Sequence, residues 1–347
     1  MRRVKKGGPS YNELFFSKTY EFLNLYLVRQ SGKSECTRKS YRFGLGGFYE
    51  YVTKVLGFSP MLFTFIQCSY DLLLKYSQFL QEKKKLKATT INARLAAIRS
   101  YLAYVSDEDT ALISVFIAAS RIPTLTVSKE QRPIIEARDL PVFLDSPAHT
   151  RIGNRDRFIL ILLFDSAIRV GELIHLTLGD LIMVSDGNSS ILVHGKGRKE
   201  RCITLSEKAD AHLHAYLAVY HKESKDPSRP LVYTTAHSKI NQMSARNVER
   251  ILRKYGNTAR ESAPNIPETY PHMIRRTRAT TLYRDGVPLE QVSALLGHQQ
   301  IETTRTHYAF PSVEQLRNTV NRGSGQEPDT AKEWIGHEAE IRSKFGL

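Results

Sequence analysis

The chain has 347 residues, of which 41% are hydrophobic, enough for two domains with substantial cores. Lys and Arg outnumber Asp and Glu by 50 to 35, a formal net charge of +15 spread along the whole chain. This points to a polyanionic partner, nucleic acid before a membrane surface, since no single basic amphipathic helix stands out. The longest apolar run, "FILILLF" from Phe158, stops at Asp165, far short of the roughly 20 residues a membrane span needs. The basic N-terminus has no apolar core of a signal peptide. Three widely spaced cysteines, Cys36, Cys68 and Cys202, suggest neither a disulfide framework nor a zinc site. A cytoplasmic, nucleoid-associated protein without metal or other cofactor is the expectation.

In chain order, residues 11–118 read as four or five helices. "YNELFFSKTYEFLNLYLVRQ" and "TRKSYRFGLGGFYEYVTKVL" repeat apolar residues at helical spacing, the second weakened by Gly44, Gly46 and Gly47. "SYDLLLKYSQFLQEKKK" opens on Ser69 in an N-cap position and ends in lysines suited to a helix C-terminus. "TTINARLAAIRSYLAYV" places Ile91, Leu95, Ile98, Leu102 and Val105 on one stripe and leaves Asn92, Arg94 and Arg99 off it. Two prolines and a loss of periodicity mark a linker over 121–134. "RDRFILILLFDSAIRVGELIHLTLGDL" then reads as a buried helix, a tight turn and a second helix. The runs "LIMVS", "SILVH" and "ERCITL", separated by "DGNS" and "GKGRK", predict a small antiparallel sheet. Helices resume from about Ser206 to Val320, followed by the connector "NRGSGQEPD" and a short terminal helix, "TAKEWIGHEAEIRSKF". The domain reading is 1–120 for a helical domain, 121–134 for the linker, 135–320 for a second mixed domain, and 321–347 for connector and tail.

Between Pro271 and Phe310 the chain collects His272, Arg275, Arg276, His298, His307 and Tyr308. Phosphodiester cleavage calls for such a set. Two arginines clamp the non-bridging oxygens and neutralise charge that grows in the transition state. A tyrosine can attack to give a covalent phosphotyrosine, given a base to assist it and a general acid for the leaving sugar oxygen.

Four motifs in order resemble the tyrosine recombinases, the phage integrase family, over nearly the whole chain. "AIRVGELIHLTLGDL" resembles the first arginine box and places its arginine at Arg169. "VHGKGRKERCITL" resembles the lysine hairpin, with Lys196 in the loop. "HMIRRTRATTL" resembles the H-x-x-R box, with His272 and Arg275. "LLGHQQIETTRTHYAF" resembles the closing segment, with His298 and Tyr308. Each residue has a plainer reading: a salt bridge for Arg169, a solvated turn for Lys196, helix capping for His272 and His298. Their joint occurrence in family order is what carries the resemblance.

The resemblance implies a mostly α protein with a small antiparallel sheet, built from an N-terminal helical (SAM-like) core-binding domain and a C-terminal mixed α+β catalytic domain. It implies a metal- and ATP-independent site-specific recombinase that closes like a clamp on double-stranded DNA. Strand exchange would run through a 3′-phosphotyrosine and a Holliday junction, with a dimer on one site and a tetramer in the synapse. An accessory directionality factor or partner recombinase is compatible with it. Arg169 and Arg275 would hold phosphate oxygens, His272 would assist proton movement, His298 would bond a phosphate oxygen, Lys196 would protonate the leaving 5′-oxygen, and Tyr308 would attack. Glu172 would orient the arginine and histidine side chains. Asn92, Arg94 and Arg99 would contact DNA. Arg276 and Arg278, where many relatives carry histidine and phenylalanine, suggest added phosphate contacts or a solvated face. In most relatives the tyrosine is the ninth residue after the closing histidine; here the ninth is His307 and Tyr308 is the tenth. Either the connecting loop is one residue longer, the helix is bulged, or His307 replaces the phenol. The chain runs on well past Tyr308, which favours a mobile-element integrase or transposase over a Xer-type resolvase. A type IB topoisomerase and a catalytically idle architectural DNA-binding protein are the remaining alternatives.

Overall fold

The computed structural model describes residues 13–127, 132–184, 187–195, 200–222, 224, 226–236, 239–297, 300–308 and 342–344. It divides into two compact units, Met1–Glu130 and Gln131–Leu347.

The first unit is helical. Helix α1 (Thr19–Glu21) runs on through wider i→i+5 turns over Phe22–Gln30, and α2 (Glu35–Glu50) does the same over Tyr51–Val55. Helices α3 (Tyr70–Glu82), α4 (Ala88–Glu108) and α5 (Ile113–Ser120) follow. Ser34 and Ser69 cap α2 and α3, accepting from the N–H of Thr37 and Leu72. The core is aromatic. Phe15 sits within 5.5 Å of the rings of Phe16, Phe48, Phe63, Phe65 and Tyr101. All five apolar stripe residues of α4 are buried. The glycines of α2 do not interrupt it. A Cβ on Gly44 would lie 2.7 Å from that of Ala97, so the missing side chain lets α2 and α4 approach closely.

The second unit opens with α6 (Leu140–Asp145), α7 (Arg151–Ser166) and α8 (Val170–His175). The apolar run of α7 enters the main core through Phe158, Ile159, Leu160, Leu162 and Leu163. Strands β1 (Leu181–Ile182), β2 (Ser190–His194) and β3 (Glu200–Thr204) form an antiparallel sheet in the order β1-β2-β3, with Leu181 opposite Ile191 and Val193 opposite Arg201. Ile191, Val193 and Ile203 turn inward to the core. After α9 (Glu207–Tyr220) the chain does not remain helical as expected. It makes a hairpin, β4 (Tyr233–Ala236) with β5 (Lys239–Gln242), before α10 (Ala245–Ser262). Every residue of β5 is exposed, so the strand carries no apolar alternation that would betray it. Helices α11 (Pro271–Arg284), α12 (Leu289–Leu296) and α13 (Ile301–Tyr308) complete the unit. The connector and most of the expected terminal helix lie outside the described residues; 342–344 are helical. Among the described residues no helix is long and apolar enough to cross a membrane.

Candidate active site

The site is built on the turn between α7 and α8. Ala167, fully buried, ends α7 in the left-handed region at φ 49°, and Arg169 N-caps α8 with extended backbone. Glu172, in the first turn of α8, folds back on that cap. Its Oε2 accepts from the backbone N–H of Arg169 at 2.8 Å, and its Oε1 accepts from Nη1 of Arg169 at 2.8 Å. The Arg169 side chain stays 45% exposed while that of Glu172 is 8% exposed. The expected pairing of Glu172 with Arg169 is therefore a cap as well as an ion pair.

A second arginine shares this carboxylate. Arg201 on β3 donates from Nη1 to Oε1 at 3.1 Å and from Nη2 to Oε2 at 2.8 Å, and its Nε donates to the carbonyl of Leu295 at 3.0 Å. Burial raises the Glu172 carboxyl's pKa, but Arg201, the Arg169 backbone and the Arg169 guanidinium outweigh it and hold it at about 2. Arg201 was absent from the sequence-based candidates. A signal existed: Arg201 and Ile203 are two apart on one strand, so they share a face, and an inward-facing arginine needs a buried acceptor.

Helix α11 begins at Pro271, whose missing N–H suits the first helical position. One turn separates His272 from Arg275. Arg275 is 1% exposed and donates from Nη1 to the carbonyl of Ala167 at 2.5 Å and from Nη2 to that of Leu296. Both acceptors end helices, where the partial negative charge of the helix dipole favours a cation. The two candidate phosphate-clamping arginines thus differ: one is half-exposed, the other enclosed. His272 is exposed. Desolvation first, then the charges of Arg276, Arg275, Arg132 and Arg169, push its imidazole down to about 4. These charges place His272, Arg169 and Arg275 in one electrostatic neighbourhood.

Lys196 and His298 lie outside the described residues. Tyr308 is the last residue of α13, a regular α-helix packed against α11 and α12, and nothing is described of its side chain or that of His307. The bulged-helix explanation for the long spacing finds no support in that helix.

Four of the residues expected to contact DNA have partners within the protein. Arg276 is 4% exposed and donates to the carbonyl of Pro133 at 3.0 Å, so it anchors the chain entering the second unit. Arg278 pairs with Asp165 at 3.5 Å and lies 5.2 Å from the Phe164 ring. Neither belongs to a solvated face nor presents a free guanidinium to phosphate. In the first unit the Asn92 amide is committed at both ends to Leu125, at 2.9 and 3.0 Å. Arg99 donates to the carbonyls of Ala119 and Ile122 at the end of α5. These two hold the segment after α5. Arg94 is half-buried: its Nε is enclosed and its guanidinium acts on the buried Tyr76 hydroxyl, while it also lies 5.1 Å from the exposed Phe43 ring beside a cavity of about 250 Å³ that borders Ser40, Thr89 and Thr90. Among the described residues no cluster of three metal-ligating side chains occurs.

Residues 133–314 match the model of the phage integrase family. The chain belongs to that family. It is a tyrosine recombinase, and its sequence is 29% identical over 306 residues to tyrosine recombinase XerC of Staphylococcus haemolyticus, covering 85% of this chain and 93% of the relative. XerC of Bacillus subtilis is 30% identical over 247 residues, 68% and 75% of the two chains. Among solved structures, XerH site-specific recombinase bound to palindromic difH substrate matches with a TM-score of 0.64 at 18% identity, over 88% of this chain and 84% of that one. The Tn1549 transposon integrase in complex with a circular intermediate DNA matches with a TM-score of 0.61 at 15% identity, over 91% and 100%. At these identities the structural likeness establishes the two-domain recombinase fold alone.

Proposed function

We propose that the recombinase binds duplex DNA at a specific site and exchanges strands through a 3′-phosphotyrosine and a Holliday junction. The observation that carries this is that Arg275, one helical turn after His272, donates to the carbonyl of Ala167, two residues before Arg169, while α13, which ends in Tyr308, packs against the same helix. In this reading Arg169 presents its exposed guanidinium to a non-bridging phosphate oxygen. Arg275 supplies fixed positive charge from beneath. An anionic phosphate would offset the charges that depress His272 and let it exchange a proton with the Tyr308 phenol. Lys196 protonates the leaving 5′-oxygen and His298 bonds a phosphate oxygen, both roles resting on the family resemblance. The phosphotyrosine conserves the energy of the broken bond, so the strand can be rejoined without ATP.

The working assembly is a dimer on each site and a tetramer in the synapse, and the biological role is integration or excision of a mobile element. A Xer-type resolvase is the second reading, favoured by the XerC likeness over 85% of the chain. The deciding experiment traps a nicked suicide duplex covalently. Tyr308→Phe should bind DNA and form no adduct. An adduct from Tyr308→Phe together with none from His307→Ala would reassign the nucleophile, and no adduct from the wild type would favour an architectural role.

A further inference from the structure

Glu172 has one negative charge and two arginines. Arg201 takes both of its oxygens in a fork, at 3.1 and 2.8 Å, whereas Arg169 reaches only Oε1 with Nη1. The Arg201 side chain is 15% exposed and its Nε is committed to Leu295, so all three of its nitrogens point into the protein. Its guanidinium also lies 3.1–3.2 Å from where a Cβ on Gly297 would stand, and Gly297 is left-handed at φ 63°. Arg201 is thus locked between α8, β3 and the end of α12. The Arg169 side chain is 45% exposed, and among the described residues its guanidinium makes one hydrogen bond, from Nη1 to Oε1 of Glu172.

We propose that Arg201 is a positioning residue that saturates Glu172 and thereby keeps Arg169 available for the scissile phosphate. The inference rests on the recombinase reading above. Without Arg201, the buried carboxylate would keep Arg169 as its one cationic partner among the described residues. Arg169 would turn onto both oxygens, because a bidentate fork is the stronger arrangement for a desolvated carboxylate. It would then be partly neutralised and drawn from the phosphate. Removing the acid's charge should reverse the defect, a sign that loss of packing alone does not predict.

The probe is a nicked suicide duplex, recovered by trapping the wild-type full chain on a pool of nicked duplexes of randomised sequence. Arg201→Ala should slow adduct formation at saturating DNA by about tenfold or more, part of the ~10²–10³ that loss of a whole oxyanion contact costs. Its Kd for the same duplex should stay within about threefold, because binding is spread over many phosphates. Adding Glu172→Gln should recover at least about threefold of the lost rate, since a neutral amide does not compete for Arg169. Arg201→Lys, a point charge that cannot fork across both oxygens, should fall between wild type and Arg201→Ala. It carries the same comparison with and without Glu172→Gln if Arg201→Ala does not fold. Wild-type rates in the Arg201 variants, or a double variant no faster than its single parent, would overturn the inference while leaving the recombinase reading intact. No adduct from the wild type on any duplex in the pool would overturn both.

Discussion

Arg275 on α11 donates to the carbonyl of Ala167, the left-handed residue that ends α7 and lies two positions before Arg169. One buried guanidinium thereby ties the H-x-x-R helix to the turn that carries the first-box arginine, and through Leu296 to the end of α12. Arg275 is as much a structural bolt as a source of charge, and this separates it from Arg169. Arg275→Ala should lose cleavage and also stability, at about 1–3 kcal/mol for each helix-end carbonyl left unpaired. Arg169→Ala should lose cleavage by ~10²–10³ yet lose less stability than Arg275→Ala, because Arg201 still bonds both oxygens of Glu172 and the backbone N–H of residue 169 is retained. Thermal melts beside single-turnover cleavage check this. Equal melting temperatures for the two variants would remove the structural role of Arg275.

His272 makes the site pH-sensitive in a defined direction. Its imidazole lies at about 4, below the ordinary 6.5, because desolvation and then the surrounding arginines disfavour the charged form. The unfolded chain therefore takes up this proton first as the pH falls. The contribution to stability is full above 6.5 and is lost between 6.5 and about 4. His272→Gln should flatten the melting temperature across that window while lowering cleavage. An NMR titration of the ring should show it neutral at pH 6 in the free protein, and DNA should raise its pKa. A ring that titrates near 6.5 without DNA would contradict the crowding of positive charge.

How much of this was legible beforehand depended on what each residue's neighbours were. The α4 stripe, the three-strand sheet and the α7–α8 turn could be read because periodicity and turn residues are local signals. Arg276 and Arg278 could not, because a cation in a basic helix looks the same whether it faces solvent or a carbonyl 143 residues away in the chain. The internal partners of Asn92 and Arg99 were hidden likewise: lying off the apolar stripe says a side chain is polar, not that Leu125 or α5 will bond it. Glu172 was legible as a partner of Arg169, but its sharing with Arg201 depends on the pairing of β3 with β2, which sets the inward face.

Gly256 on α10 offers a test of how remote packing sets the site. A Cβ there would overlap Thr269, which is 2% exposed and donates through Oγ1 to the carbonyl of Leu252 at 2.7 Å. Thr269 leads directly through Tyr270 and Pro271 into His272. Alanine is the better helix former by about 1 kcal/mol, but overpacking here should cost about 1–3 kcal/mol. Gly256→Ala should therefore destabilise and slow cleavage, and Thr269→Ala in the same chain should recover part of both. A more stable Gly256→Ala protein would show that the segment before His272 yields without consequence.

The reassigned polar residues of α4 make the last prediction. Asn92 and Arg99 are engaged by backbone of their own unit, whereas the half-buried Arg94 lies between the exposed Phe43 ring and the buried Tyr76 hydroxyl. Each phosphate contact that is lost lowers the slope of log K against log salt by about 0.9 on duplex DNA. Arg94→Ala should reduce that slope by roughly one such contact and also lower the melt somewhat, since its guanidinium abuts the buried Tyr76 hydroxyl. Asn92→Ala should leave the slope alone and lower the stability of the first unit, since two bonds to Leu125 disappear at about 0.5–1.5 kcal/mol each. Arg99→Ala should behave like Asn92→Ala, because it releases the carbonyls at the end of α5. Titrations of a duplex of arbitrary sequence at several salt concentrations, paired with thermal melts, separate the two behaviours. If Asn92→Ala reduced the slope without moving the melt, its bonds to Leu125 would have to open on DNA, and the original reading of Asn92 as a DNA contact would stand.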